Sequence, residues 1–88
     1  MKLEFTDSFE KDIRKYKDQS LLRRIDSVMD LIEQSNDLDS ILNIKAMRGS
    51  PEFYRIRIGN FRLGFHFANG IVRILAFGKR EDFYRSFP

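Results

Sequence analysis

Cysteine is absent from the 88 residues and histidine occurs once. The first absence excludes a disulfide framework and a thiolate zinc site, and the second removes most imidazole-based metal clusters. Neither a phosphate-cradling glycine loop nor a nucleophile elbow occurs, so these familiar routes to nucleotide or acyl chemistry are closed. The opening MKLEFTDSFEKD has no apolar core of signal-peptide length, and no apolar run approaches the ~20 residues of a membrane helix. These absences lead us to expect a soluble, cytoplasmic protein without metal or cofactor. At this length residues 1–88 are expected to form one domain whose compact core leaves little room for a deep pocket, so a functional site should be a surface.

What is present is unevenly distributed. Residues 1–43 carry seven basic and ten acidic side chains, for −3, whereas residues 44–88 carry nine basic and three acidic, for +6. Positive charge concentrated in one half is the electrostatic footprint of a polyanion-binding surface.

The periodicity divides the chain at the same point. KLEFT (residues 2–6) alternates as a short strand. Thr6, Asp7 or Ser8 can cap a first helix bearing Phe9, Ile13 and Tyr16, and Ser20 a second bearing Leu21, Leu22, Ile25, Val28, Met29 and Ile32. The polar stretch 34–40 ends the helical pattern. From Ile44 the period becomes two, through NIKAM, EFYRIRI, FRLGFHFA and IVRILAF. The turns Gly59-Asn60 and Asn69-Gly70 predict an antiparallel meander. The fold class is therefore α+β, with a short N-terminal strand and a helical hairpin packed on one face of a twisted antiparallel sheet.

Two-residue turns fix a register. Arg57 should oppose Arg62, Arg55 should oppose Gly64, His66 should oppose Arg73, and Arg62 should also oppose Phe77. Tyr54, Ile56, Ile58, Phe61, Leu63, Phe65, Phe67, Val72, Ile74 and Ala76 then share the face beneath the helices. Arg55, Arg57, Arg62, His66 and Arg73 share the other, with Leu75 and Phe77 beside them.

Like charges directly opposed across strands destabilise a sheet unless an anion lies between them, and guanidinium is suited to bidentate phosphate contact. Gly64 leaves space on this face for close approach of a nucleotide. The tail GKREDFYRSFP adds Lys79, Arg80, Tyr84 and Arg85, which can hold phosphates and stack a splayed base. Phe83 and Phe87 are expected to pack back on the core. His66 could act as a general acid or base, although single histidines are more often plain surface residues.

The stretch IKAMRGSPEFYRIRIGNFRLGFHF, followed by ILAFGKREDFY, resembles the RelE/ParE toxin superfamily across essentially the whole chain. Lys45, Met47, Arg48 and Gly49 resemble the strand leading into the central hairpin. The resemblance implies two helices on a twisted antiparallel sheet. It also implies, for RelE-type members, ribosome-dependent cleavage of mRNA in the A site without metal, the 2′-hydroxyl attacking the adjacent phosphate.

On that footing Arg55, Arg57, Arg62, Arg80 and Tyr84 match catalytic positions, with Lys45, Arg48, His66, Arg73, Lys79 and Arg85 as further RNA contacts. RelE has lysines where this chain has Arg55 and Arg57, and arginine is a poor base. Glu52, Glu81 and His66 therefore stand as alternative bases. The resemblance further implies a cognate antitoxin in a hetero-oligomeric complex and no membrane partner. ParE-like inhibition of DNA gyrase and a non-catalytic RNA-binding module are the competing readings.

Overall fold

The computed structural model describes residues 1–88. The first strand, β1 (Lys2–Phe5), leads into α1 (Asp7–Ile13) and α2 (Gln19–Gln34). A short 3₁₀ turn (Leu38–Ser40) precedes β2 (Ile44–Ala46), β3 (Phe53–Ile58), β4 (Phe61–Ala68), β5 (Ile71–Lys79) and α3 (Arg80–Ser86). The five strands form one sheet in the order β1-β5-β4-β3-β2, in which β1 lies parallel to β5 and every other pair is antiparallel. The meander follows from its turns: Gly59, Asn69 and Gly70 all take the left-handed φ that tight hairpin loops require. No helix is long and apolar enough to cross a membrane.

The helices α1 and α2 each begin at a side-chain cap. Thr6 accepts from the Phe9 N–H, while Asp18 accepts from Ser20 and Leu21. The second cap is thus Asp18 and not the expected Ser20, which lies inside the first turn. Both residues have capping side chains, and the apolar stripe alone does not choose between starts two residues apart. Leu21, Ile25, Met29 and Ile32 of α2 and Phe9 of α1 are buried against Ile56, Ile58, Leu63, Phe65, Val72 and Ile74 of the sheet. Burying a side chain of this size contributes roughly 1.5–3 kcal/mol, so this interface supplies most of the apolar stabilisation.

The expected register holds from Ile58↔Phe61 to Phe53↔His66 and from Ala68↔Ile71 to His66↔Arg73. It fails in the second half of β5. Phe65 pairs with Ile74 but Gly64 pairs with Ala76, so Leu75 is an extra residue and every later side chain changes face. Arg62 consequently opposes Gly78 and not Phe77. Phe77 joins the core at 4 % exposure, and Ala76 leaves the core face to lie opposite Gly64.

The bulge has a visible support. β1 pairs with β5 only as far as Ile74, leaving the rest of that strand's edge open. There α1 takes over. The Thr6 hydroxyl donates to the Ile74 carbonyl at 2.8 Å, and the Asp12 carboxylate accepts from the Phe77 N–H at 3.1 Å. One short helix therefore ties down both ends of the irregular segment. Its polar ties replace hydrogen bonds that an edge strand would otherwise lack.

Candidate nucleic-acid interface

The sheet face away from the α1–α2 pair carries the arginines. Arg57 opposes Arg62, and the two guanidinium groups bond to different partners. Arg62 donates through one terminal nitrogen to the carbonyls of Gly59 and Phe61, both at 2.9 Å. Arg57 donates to the Asn43 side-chain oxygen at 3.3 Å, and Arg55 to the Asn43 carbonyl at 2.9 Å. Asn43 is thus an organiser that sequence reasoning missed. Its left-handed backbone, φ 64°, is one that asparagine tolerates. That preference, just before a strand, was the available signal.

Arg62 is only 8 % exposed. Its Nε and that of Arg55 are buried without an acceptor in the chain. All the partners of these arginines named above are neutral, so the positive charge is held in place without being neutralised.

The C-terminal helix converts this face into two clefts. Phe83 and Phe87 are buried, at 3 % and 7 %, with ring centroids 4.9 Å apart. A Cβ on Gly64 would lie 2.7 Å from the Phe87 ring and 2.8 Å from that of Phe83. The space at Gly64 is therefore filled by the chain's own aromatics, and it is not open to a nucleotide as expected. Phe83 and Phe87 do pack back on the sheet, across the strands from the main core.

With these rings as its anchor, α3 presents Tyr84, 44 % exposed, over a shallow cleft of about 310 Å³. Lys45, Ala46, Met47, Arg48 and Arg55 line its other sides. At the opposite end of α3, Asn60, Phe61, Lys79, Arg80 and Glu81 line a second cleft of about 340 Å³. The Arg80 N–H donates to the Asn60 carbonyl at 2.8 Å, which joins the start of α3 to the β3–β4 turn.

Tyr16 braces that junction. Its ring meets Phe61 and Phe77 edge-on, each at 5.3 Å. Burial pushes its phenol above the ordinary tyrosine range, with Asp82 and Asp12 adding in the same direction and the Lys79 backbone opposing. It is a neutral strut at physiological pH.

Of the residues singled out from sequence, Lys45, Arg48, Arg55 and Tyr84 converge on the first cleft, and Lys79, Arg80 and Glu81 on the second. Arg57 and Arg62 lie on the strands between. The others stand apart. His66 faces Glu52 at 3.9 Å and packs edge-on against Phe53. Arg73 is exposed on β5 between His66 and Glu4. Arg85 turns along α3 to Asp82 at 3.6 Å.

A helix-backed sheet whose outer face gathers unneutralised guanidinium groups beside an exposed tyrosine defines a class of small basic α+β proteins. Residues 3–84 match the family model described as ParE toxin of type II toxin-antitoxin systems. The chain belongs to this toxin family. It is 32% identical over 89 residues to toxin RelE3 of Methanocaldococcus jannaschii, each chain being covered in full.

The fold also superposes on a chain of the RelB-RelE antitoxin-toxin complex from Methanococcus jannaschii, with TM-score 0.80 and 29% identity over 97% of this chain and 99% of that one. The isolated E. coli RelE toxin, at TM-score 0.65 and 20% identity over 89% and 82% of the two chains, shares the fold. The α+β architecture expected from the resemblance is therefore found, with the parallel β1 and the β5 bulge as the particulars it omitted.

Proposed function

We propose that this toxin is an endoribonuclease that cuts mRNA on the ribosome, using its own cations in place of a metal, and that it is held inactive by a cognate antitoxin. The observation that carries the reading is the convergence of Lys45, Arg48, Arg55 and Tyr84 on one cleft, with Arg57, Arg62 and Arg80 continuing from it. In this reaction the substrate 2′-oxygen attacks the adjacent phosphorus, the bond to the 5′-oxygen breaks, and a cyclic phosphate and a free 5′-hydroxyl result. Arg62 and Arg80 stabilise the extra negative charge on the phosphorane and the leaving oxygen. The Arg62 guanidinium does so from a position held by two backbone carbonyls, which spares reorganisation during the reaction.

Arg55 and Arg57 hold the flanking backbone. Tyr84 stacks a base or relays the proton to the leaving oxygen. A base must take the 2′-proton. Glu81 lines the cleft that also holds Arg80, and Glu52 with His66 forms the other set within the chain. The antitoxin is supported by relatives solved as antitoxin-toxin complexes. An acidic segment is the chemistry that would cover the basic face.

The test is primer extension on mRNA in a reconstituted bacterial translation system, with ribosome-free RNA and Arg62→Ala as controls. Cuts in A-site codons that need both ribosomes and Arg62 support the reading. The match to a ParE family model favours one second reading, inhibition of DNA gyrase. Absence of cleavage by the folded, antitoxin-free chain, together with blocked gyrase supercoiling, would replace the first reading by the second.

A further inference from the structure

One cation lies near the proposed site without being part of it. Arg24, on the exposed flank of α2, packs its guanidinium against the β3–β4 turn. A Cβ on Gly59 would sit 3.2 Å from both of its terminal nitrogens. The same two-residue turn receives Arg62, whose guanidinium donates to the Gly59 carbonyl. It also receives Arg80, whose N–H donates to the Asn60 carbonyl, and Lys79 lies beside it in the cleft. The guanidinium groups of Arg24 from α2 and Arg62 from β4 thus meet the backbone of the β5–α3 junction at one turn.

None of the four cations forms an ion pair. The three ion pairs of the chain are Arg14 with Glu10, His66 with Glu52 and Arg85 with Asp82, and Glu81 is the one carboxylate residue lining the cleft. Gathering unpaired like charges costs electrostatic energy that a bound anion recovers, and surfaces built this way attract polyanions.

We infer that the β3–β4 turn is a second phosphate subsite, in which Arg24 extends the RNA-binding face around the end of the sheet towards α2. The ligand is a backbone phosphate of single-stranded RNA. Arg55 and Gly59 are four residues apart, about 13 Å at the rise of a strand, so one strand laid along β3 reaches both the Tyr84 cleft and the turn. RNA is favoured over an acidic protein segment because a strand held in the Tyr84 cleft beside Arg55 is carried to this turn by the direction of β3. Guanidinium gives Arg24 two parallel donors for phosphate oxygens.

The inference rests on the RNA-binding part of the proposed function and is tested separately from cleavage. The probe is a fluorescently labelled single-stranded RNA oligonucleotide, titrated at several salt concentrations against wild type, Arg24→Ala, Arg24→Lys and Arg14→Ala. Arg24→Ala should weaken binding roughly fivefold or more and flatten the slope of log affinity against log salt by about 0.7. Tm should be unchanged, Arg24→Lys intermediate, and Arg14→Ala like wild type.

The subsite is overturned if Arg24→Ala binds like Arg14→Ala, or if its loss of binding comes with a fall in Tm. It is also overturned if wild type binds no oligonucleotide. Salt-dependent binding that responds to Arg24 in a protein unable to cut mRNA on ribosomes would retain the subsite and remove the nuclease reading.

Discussion

The two faces of the sheet are held by different kinds of contact. Beneath α1 and α2, contiguous apolar side chains such as Leu63, Phe65, Val72 and Ile74 exclude solvent completely. On the other face a thinner aromatic anchor, Phe83 and Phe87 over Gly64, holds α3 across strands rich in arginine. The inner face depends on area removed from water and the outer one on where a few polar groups are directed. Loss of area should therefore cost stability in proportion, whereas small shifts on the outer face should cost function first.

The largest stability effect should come from Phe65→Ala on the inner face, roughly 3–5 kcal/mol by denaturant unfolding. A loss under ~1 kcal/mol would break the contrast. Next is Gly64→Val on the outer face. Its side chain would collide with Phe83 and Phe87, and overpacking of this kind costs about 1–3 kcal/mol. Here α3 should detach, and RNA cleavage and binding should fall further than stability does. Rapid hydrogen exchange in α3 with β4 still protected would be the signature.

Asp12→Ala links the two faces by removing the acceptor for the Phe77 N–H, with an expected cost of about 1–3 kcal/mol and faster exchange of that amide. If the Phe77 amide stays as protected as in wild type, α1 does not hold the bulge. The smallest effects are electrostatic. Arg57→Thr relieves the opposition to Arg62 and should stabilise the fold by a few tenths of a kcal/mol while weakening RNA binding.

The pH dependence follows from Tyr16, whose proton is held more tightly folded than unfolded. Its contribution is full below the ordinary tyrosine pKa and is lost as pH rises through the raised one. Phenolate absorbance titration should show one late-ionising tyrosine that disappears in Tyr16→Phe.

Much of this architecture is written in local pattern. Alternation and the turn residues Gly59-Asn60 and Asn69-Gly70 place Arg57 opposite Arg62 and Arg55 opposite Gly64, because a hairpin register depends only on the few residues between its strands. The charge division and the tail Arg80–Tyr84 likewise mark the outer face as basic.

Three features needed the tertiary structure. The bulge that moves Phe77 inward is tied by Thr6 and Asp12, more than 60 residues away in the chain. The space at Gly64 belongs to Phe83 and Phe87, because the return path of α3 is set by packing and not by strand period. Arg24 reaches the turn only because α2 lies across the sheet. The physical reason is common to all three: hydrogen-bonded turns encode their geometry in adjacent residues, whereas contacts between distant elements exist only once the chain has closed on itself.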